Sequence, residues 1–418
     1  MSLRDWFLKL HPTEVKGATV DEIPGRLIAE RTKPFLFRGI KGHDGIDAAG
    51  NLFATRESIA TSFGTDRAGS FEIVRGALGS PREFQVSDDH PWKTKVRDLN
   101  ALPISKWFAG DAGPYINSAA VHATYKGKSN LAVHRLLRLD GNRFATRLVE
   151  RHTYAMLSEA RKHGDDVPIT MSIGCDPSVM IACSASMPFG EDELRVASAM
   201  EAAAPSMKRS LQAYEVDGLV APDAEIVIVG RITKETHEEG PYVDATGTMD
   251  QVRKQPVVEI DGIYAKPDPV FHALLPGGYE HFMFMGMPKE PQIYNAVTKV
   301  VPKVHAARLT EGGGAWLHGI VSIDTQREGD GKNAILAALA AHPSMKMVTV
   351  VNGDIDIFDD RAVEWAVATR FQADADLVVM SGLRGSSLDP SAPSGKTAKM
   401  GIDATIPQGQ EEKFRKWL

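Results

Sequence analysis

The sequence predicts a mixed α/β protein in which a central β-rich region lies between an N-terminal and a C-terminal α/β region. Three observations predict it. Residues 1–100 mix helix-like and strand-like pieces. From about residue 100, short apolar runs alternate with Gly, Pro, Asp and Asn turns. From about residue 300, strand-like and helix-like segments alternate in βαβ fashion. A chain of 418 residues, 43% of them hydrophobic, can bury a core large enough for two or three domains. The changes of texture set the domains at 1–100, 101–300 and 301–418.

In the first region, Asp21–Arg31 has helical spacing after a capping Asp21. Pro34–Ile40 and Phe71–Arg75 read as short strands. In the middle region Tyr115–Tyr125, Leu131–Leu139, Ile169–Cys175 and Glu225–Ile232 read as β-structure of a barrel or sandwich. Two helices interrupt it, Val149–His163 and Glu191–Ala204. In the last region Asn333–Ala341 and Arg361–Arg370 read as helices, and Met347–Val351 and Asp376–Ser381 as strands. Ser386–Gly395, rich in Ser, Pro and Gly, reads as a loop.

Composition excludes several classes. The net charge of −6 comes from both signs spread along the chain, with no basic stripe, so nucleic acid is not an expected partner. No apolar run approaches the roughly 20 residues that cross a bilayer, and the N-terminus lacks a signal-peptide apolar stretch. Cys175 and Cys183 form neither a CxxC pair nor a zinc knuckle and read as small buried hydrophobes. A cytoplasmic protein is the expectation.

Six short segments then occur in an informative order. They are Gly110-Asp111-Ala112-Gly113-Pro114-Tyr115-Ile116, Asn130-Leu131-Ala132-Val133-His134-Arg135, Ser186-Met187-Pro188 with Glu193, Glu239-Gly240-Pro241-Tyr242-Val243-Asp244, Gly353-Asp354-Ile355-Asp356-Ile357 and Lys399-Met400-Gly401-Ile402-Asp403-Ala404-Thr405. Across roughly residues 100–410 the chain resembles the UbiD family of decarboxylases, which use prenylated flavin mononucleotide. The resemblance implies a central split β-barrel that binds the flavin, flanked by the two α/β regions. It also implies a separate flavin prenyltransferase for maturation, and a homodimer or homohexamer.

The family's catalytic core is an arginine with two acids, and its motifs place these at Arg135, Glu239 and Asp244. The chemistry suits those types. A substrate carboxylate needs a fixed cation, and arginine offers a planar fork of donors. After carbon dioxide leaves, a carbanion-like centre needs a nearby carboxylic acid as proton donor. Many members carry Glu where this chain has the shorter Asp244. The resemblance further implies a divalent metal, Mn²⁺ or Mg²⁺, on Asn130, His152 and Glu193, with Glu191 as the alternative to Glu193. Such mostly hard ligands suit those ions and a phosphate. By the same resemblance a K⁺ ion lies near the backbone of Leu131 and of Ser184–Met187 and shares Glu193. The resemblance also implies that Ala132, Arg151, Ser186, Met187 and Pro188 line the flavin with Asn130, and it makes Lys399 a candidate phosphate contact.

For the substrate, the stretch Pro276–Lys289 is similar to that of furan-dicarboxylate decarboxylases. That similarity implies His281 and Lys289 as carboxylate contacts, while Phe282, Met283, Phe284 and Met285 suit either a flat heteroaromatic ring or the core. The first expectation is therefore decarboxylation of an aromatic or heteroaromatic acid. The alternative is an aliphatic or phosphorylated unsaturated acid, which calls for extra basic residues near Arg135. An alternative of another class is a flavin-binding protein or reductase without decarboxylation. A reductase has no need of the Arg135–Glu239–Asp244 set, and no GxGxxG fingerprint for a nicotinamide cofactor is present.

Overall fold

The structure is a computed structural model and describes residues 1–392 and 395–415. It divides into two compact units, Met1–Phe284 and Met285–Leu418. The stretches 1–100 and 101–284 lie together in the first unit, and 285–300 lie with the second. The architecture is mixed α/β, as the sequence predicts.

The first unit opens with a four-stranded sheet in the order Thr13–Lys16, Phe35–Arg38, Asp47–Gly50 and Val270–His272. The helix Glu22–Ala29 buries Ile23 and Leu27, one turn apart on a single face. One expectation fails here. Phe71–Arg75 is not a strand but part of the helix Arg67–Gly79. The Asp66 carboxylate caps that helix by accepting from the Gly69 amide at 2.7 Å. Ser70, Val74 and Ala77 are its buried residues, at helical spacing that the apolar cluster around Ile73 obscures.

The central sheet has nine strands. They are β1 (Thr94–Lys95), β2 (Tyr115–Ile116), β3 (Ala120–Tyr125), β4 (Lys128–Val133), β5 (Leu136–Arg138), β6 (Arg143–Thr146), β7 (Val167–Ile173), β8 (Ile226–Glu239) and β9 (Arg253–Ala265). The order is β2-β5-β6-β9-β8-β7-β3-β4, with β1 paired to β9. Among the described residues no ladder joins β2 to β4, so the hydrogen-bonded path is open. The turn Lys126-Gly127 joins β3 to β4 with both φ positive, 49° and 73°, a two-residue hairpin that suits the strands' twist. The long β8–β9 ladder is interrupted at Val229/Gly230 and Ile232/Thr236. At the first interruption a Cβ on Gly230 would meet the Glu259 carbonyl at 2.2 Å, so only glycine fits there. Ile169, Met171, Ile226, Ile228, Val258 and Ile263 are among the buried residues of this core. The helices His152–His163 and Leu194–Ala203 belong to the same unit. Each starts three residues later than the apolar periodicity suggests, with Arg151 and Glu193 at the N-caps.

The second unit holds a five-stranded sheet: β10 (Val304–Leu309), β11 (His318–Ile323), β12 (Met347–Asn352), β13 (Leu377–Arg384) and β14 (Lys396–Ala404). The order is β10-β11-β12-β14-β13, with parallel β11, β12 and β14 between two antiparallel edges. The helices Asp330–Ala341 and Asp360–Arg370 supply the alternation the sequence predicts. Of the expected loop Ser386–Gly395, residues 386–392 lack helix and strand, and 393–394 lie outside the described residues.

Candidate active site

Arg135 stands in the two-residue gap between β4 and β5, and Glu239 ends β8. After Glu239 comes a cis Gly240-Pro241 bond and a short hairpin, Tyr242–Val243 against Met249–Asp250, with Tyr242 opposite Asp250. This hairpin carries Asp244 and a third acid, Asp250.

All three acids converge on Arg135. Its Nε and Nη2 donate to the two oxygens of Glu239, both at 2.8 Å. Nη1 donates to Asp244 Oδ2 at 2.6 Å, and Nη2 to Asp250 Oδ2 at 2.8 Å. A guanidinium has five N–H groups. Among the described residues four are used, so one on Nη1 is left. The Tyr242 ring covers the guanidinium, with Cζ 4.3 Å from the ring centroid. Burial opposes the charge of Arg135, but Glu239 and Asp244 outweigh it and hold its pKa above the ordinary arginine value.

Graded exposure separates the roles of the acids. The Glu239 side chain is 0% exposed and that of Asp244 20%. Glu239 is also held by the Tyr115 hydroxyl, which donates to Oε1 at 3.1 Å and accepts from the Gly240 amide at 3.2 Å. Burial, then the Glu239 charge, pushes the Tyr115 phenol up, so it stays a donor. Burial would raise Asp250, but Arg253 at 2.7 Å and Arg135 hold its carboxyl below the usual range. The hairpin is clamped by Asp111, whose two oxygens accept from the Val243 and Phe108 amides at 2.9 Å each. Asp111 belongs to the Gly-Asp-Ala-Gly segment, whose role the motif alone does not reveal.

A second cluster lies just upstream on β4. Asn130 Nδ2 donates to Glu193 Oε1 at 2.9 Å, and the Leu131 amide donates to Glu193 Oε2 at 2.6 Å. Thr153, the neighbour of His152, donates to Asn130 Oδ1 at 2.6 Å. Glu193 is 2% exposed, and burial pushes its carboxyl up to about 7. Glu191 is exposed, so Glu193 is the acid that reaches Asn130. The half-buried His152 ring lies 5.4 Å from that of Phe189. A bridge between Ser129 and Gly190 lays the segment after Pro188 beside β4. Met187 is buried, Ala132 half-buried, and Arg151, Ser186 and Pro188 exposed. Among the described residues no three His, Cys, Asp or Glu side chains form a ligand cluster.

His281 lies on the helix Tyr279–Gly286 and accepts the Gly277 amide on Nδ1 at 3.1 Å. Burial lowers its pKa, and the Asp244 charge opposes that shift. Its imidazole is therefore neutral, carries its proton on Nε2 and feels Asp244. Lys289 and Lys399 belong to the second unit. Lys289 is buried, with Nζ 6.0 Å from the Trp316 ring centroid. Lys399 donates to the Pro343 carbonyl at 2.5 Å, and burial lowers its pKa. The first unit thus brings Arg135, Glu239 and Asp244 into direct contact, and likewise Asn130 and Glu193. Asp250, Asp111 and Tyr115 join the site without having been singled out.

Known proteins are similar to this chain over most of its length. The 3-octaprenyl-4-hydroxybenzoate carboxy-lyase Rift-related domain matches residues 84–279, and the C-terminal domain of the same carboxy-lyase matches 282–404. Five relatives, 40–42% identical, are anhydromevalonate phosphate decarboxylases. That of Methanothermobacter thermautotrophicus is 40% identical over 91% of this chain and 90% of its own. Gallate decarboxylase of Lactiplantibacillus plantarum is 28% identical over 91% of this chain and 85% of its own. Among solved structures, the UbiD-class enzyme HmfF of Pelotomaculum thermopropionicum in complex with FMN superposes with a TM-score of 0.93. It is 32% identical over 100% of this chain and 97% of its own.

Proposed function

The chain belongs to the UbiD family of decarboxylases, and from that premise we propose that it removes carbon dioxide from a phosphorylated, unsaturated aliphatic acid of the anhydromevalonate phosphate kind. The carboxy-lyase activity rests on one observation above all: a buried arginine, gripped by three acids, keeps one N–H for a ligand. The substrate class rests on the five relatives at 40–42% identity, against 28% for the gallate enzyme. The sequence put aromatic acids first; the relatives favour the phosphorylated alternative.

The flavin of this family, prenylated FMN, would lie beside β4, where Phe189 and Val149 remain exposed apolar surface near His152. When bound, it supplies the electron sink for decarboxylation. The donor set upstream fits a divalent cation with a phosphate. Glu193 is buried and, among the described residues, has no cationic side chain against it, and Asn130 offers a hard amide oxygen. Mn²⁺ or Mg²⁺ would draw on Asn130, His152 and Glu193, and K⁺ on Glu193 and nearby carbonyls.

The chain's own residues divide the work. Glu239 and Asp250 fix the plane of the Arg135 guanidinium, and its remaining N–H receives the substrate carboxylate. Asp244 is the most exposed of the three acids, and its Oδ2 faces the guanidinium while Oδ1 is held by the Ala245 amide at 2.7 Å. Its exposure makes Asp244 the one that can take a proton from solvent and deliver it to the carbon that carbon dioxide leaves. No helix among the described residues is long and apolar enough to cross a membrane. A cytoplasmic homodimer or homohexamer, matured by a flavin prenyltransferase, completes the proposal.

The test is carbon dioxide release by protein co-produced with a flavin prenyltransferase. Anhydromevalonate phosphate is expected to be turned over, and gallate and furan-dicarboxylate not. Turnover of the aromatic acids alone would return the assignment to the aromatic class. Release from no acid by flavin-loaded protein would favour a flavin-binding module.

A further inference from the structure

The hairpin that positions Arg135 brings a second arginine beside it. Strands β5 and β6 pair antiparallel, with Thr146 opposite Leu136. The ladder continues one residue further, because the Arg147 amide donates to the Arg135 carbonyl at 3.3 Å. Directly opposed residues of an antiparallel pair project from one face, with Cβ atoms about 5 Å apart. Arg147 and Arg135 therefore leave the sheet side by side. Arg253, which pairs with Asp250, stands opposite Glu239 on the neighbouring ladder.

Like charges directly opposite one another destabilise a ladder unless each meets its own anion. Arg135 has three carboxylates. Arg147 has none among the described residues. Its one side-chain hydrogen bond runs from Nη1 to the adjoining Leu148 carbonyl at 2.9 Å. It is half-buried. Burial, and then the charges of Arg253 and Arg135, hold its pKa below the ordinary arginine value. Arginine stays protonated all the same. What remains is a desolvated guanidinium fork that feels Asp250 and Glu239 at a distance but has no carboxylate in salt-bridge contact among the described residues, next to the arginine that takes a carboxylate.

We propose that Arg147 binds the phosphate group of the substrate, so that two adjacent arginines hold the two anionic ends of one molecule. Arg135 takes the carboxylate end through its remaining Nη1 N–H, and Arg147 the phosphate end through its planar fork. This rests on the phosphorylated-acid reading of the same site. It also gives that reading the extra basic residue near Arg135 that a phosphorylated substrate requires.

The experiment compares anhydromevalonate phosphate with its dephosphorylated acid, on flavin-loaded wild type, Arg147→Gln and Arg147→Lys. The readouts are KM, kcat, flavin content and melting temperature. In Arg147→Gln the preference in kcat/KM for the phosphorylated acid should fall about 10- to 100-fold, the range for one charged hydrogen bond. The loss should appear in KM, flavin content should match wild type, and Arg147→Lys should recover part of the preference. An unchanged preference, or a drop in flavin content, would overturn the proposal and give Arg147 a structural or cofactor role. Wild type that ignores the phosphorylated acid would instead overturn the substrate class, a result read before any variant is made.

Discussion

Replacing Arg135 by alanine removes the one cation that three buried or half-buried carboxylates share. Glu239 is 0%, Asp250 15% and Asp244 20% exposed in their side chains. Breaking a buried ion pair from one side costs about 3–5 kcal/mol, because the partner charge is left uncompensated. Here three partners are left, so the upper half of that range is expected at pH 7. The pH dependence follows from the sign of each shift. In the wild type Asp250 has a lowered pKa, so its contribution is present above the unfolded value and is lost as pH falls through the folded one. In Arg135→Ala the crowded acids are pushed up instead. Their penalty is present at neutral pH and is relieved as they protonate on acidification. The stability gap between variant and wild type should therefore narrow from pH 7 to pH 5. Urea unfolding followed by tryptophan fluorescence measures it, since the Trp107 indole donates to the Tyr115 carbonyl at 2.9 Å and reports on this region. A gap under about 1 kcal/mol at pH 7, or one that fails to narrow, would refute the account of the cluster. Decarboxylation near the wild-type rate would refute Arg135 as the carboxylate anchor.

Three further outcomes are expected. Asp244→Asn should lose decarboxylation while Asp244→Glu keeps part of it, measured as carbon dioxide release; a fully active Asn variant would remove Asp244 as proton donor. Tyr115→Phe should lower stability by about 1.5–3 kcal/mol, the value of a hydrogen bond to a charged group, and should reduce kcat without abolishing it. A Tyr115→Phe variant with unchanged stability would show that Glu239 does not depend on the hydroxyl. Glu201, buried beside Asp176, has its carboxyl pushed up to about 7 by burial, then by the Asp176 charge. An acid raised from its ordinary value near 4.5 makes the wild type lose stability as pH rises from about 4.5 to 7, by up to about 3 kcal/mol. Glu201→Gln should flatten that slope in urea melts, and an equally steep slope would refute it.

Which parts of the site the sequence revealed follows from where the information lies. Asn130 and Arg135 sit in one short segment, and Glu239 and Asp244 in another, so local motifs carry them. Asp250 and Arg147 act through pairing across strands: Tyr242 opposite Asp250, and Arg147 one step beyond Thr146 opposite Leu136. Register between strands is not written in local periodicity, and neither residue stands out in its own segment. Asp111 was visible as part of a motif, but its role appears only when Val243, 132 residues later, folds back onto it. The mistaken strand at Phe71–Arg75 has a different origin. A short run rich in Phe, Ile and Val fits either period, and the Asp66 cap with the Ser70, Val74 and Ala77 stripe decided for a helix.

The joining of the two clusters by β4 bears on which insertions the chain can accept. Asn130 and Arg135 are five residues apart, a span of at most about 17 Å in extended chain. That segment works as a ruler between the proposed cofactor anchor and the substrate anchor. One added residue within it would advance Arg135 by about 3.3 Å and turn its side chain to the other face of the sheet. Glu239, fixed at the end of a different strand, could not follow. The same residue added at the exposed turn Lys126-Gly127 would lengthen a loop and leave the ruler intact. Insertion scanning of this hairpin should therefore divide sharply within a few positions, tolerated at its tip and abolishing catalysis past Asn130.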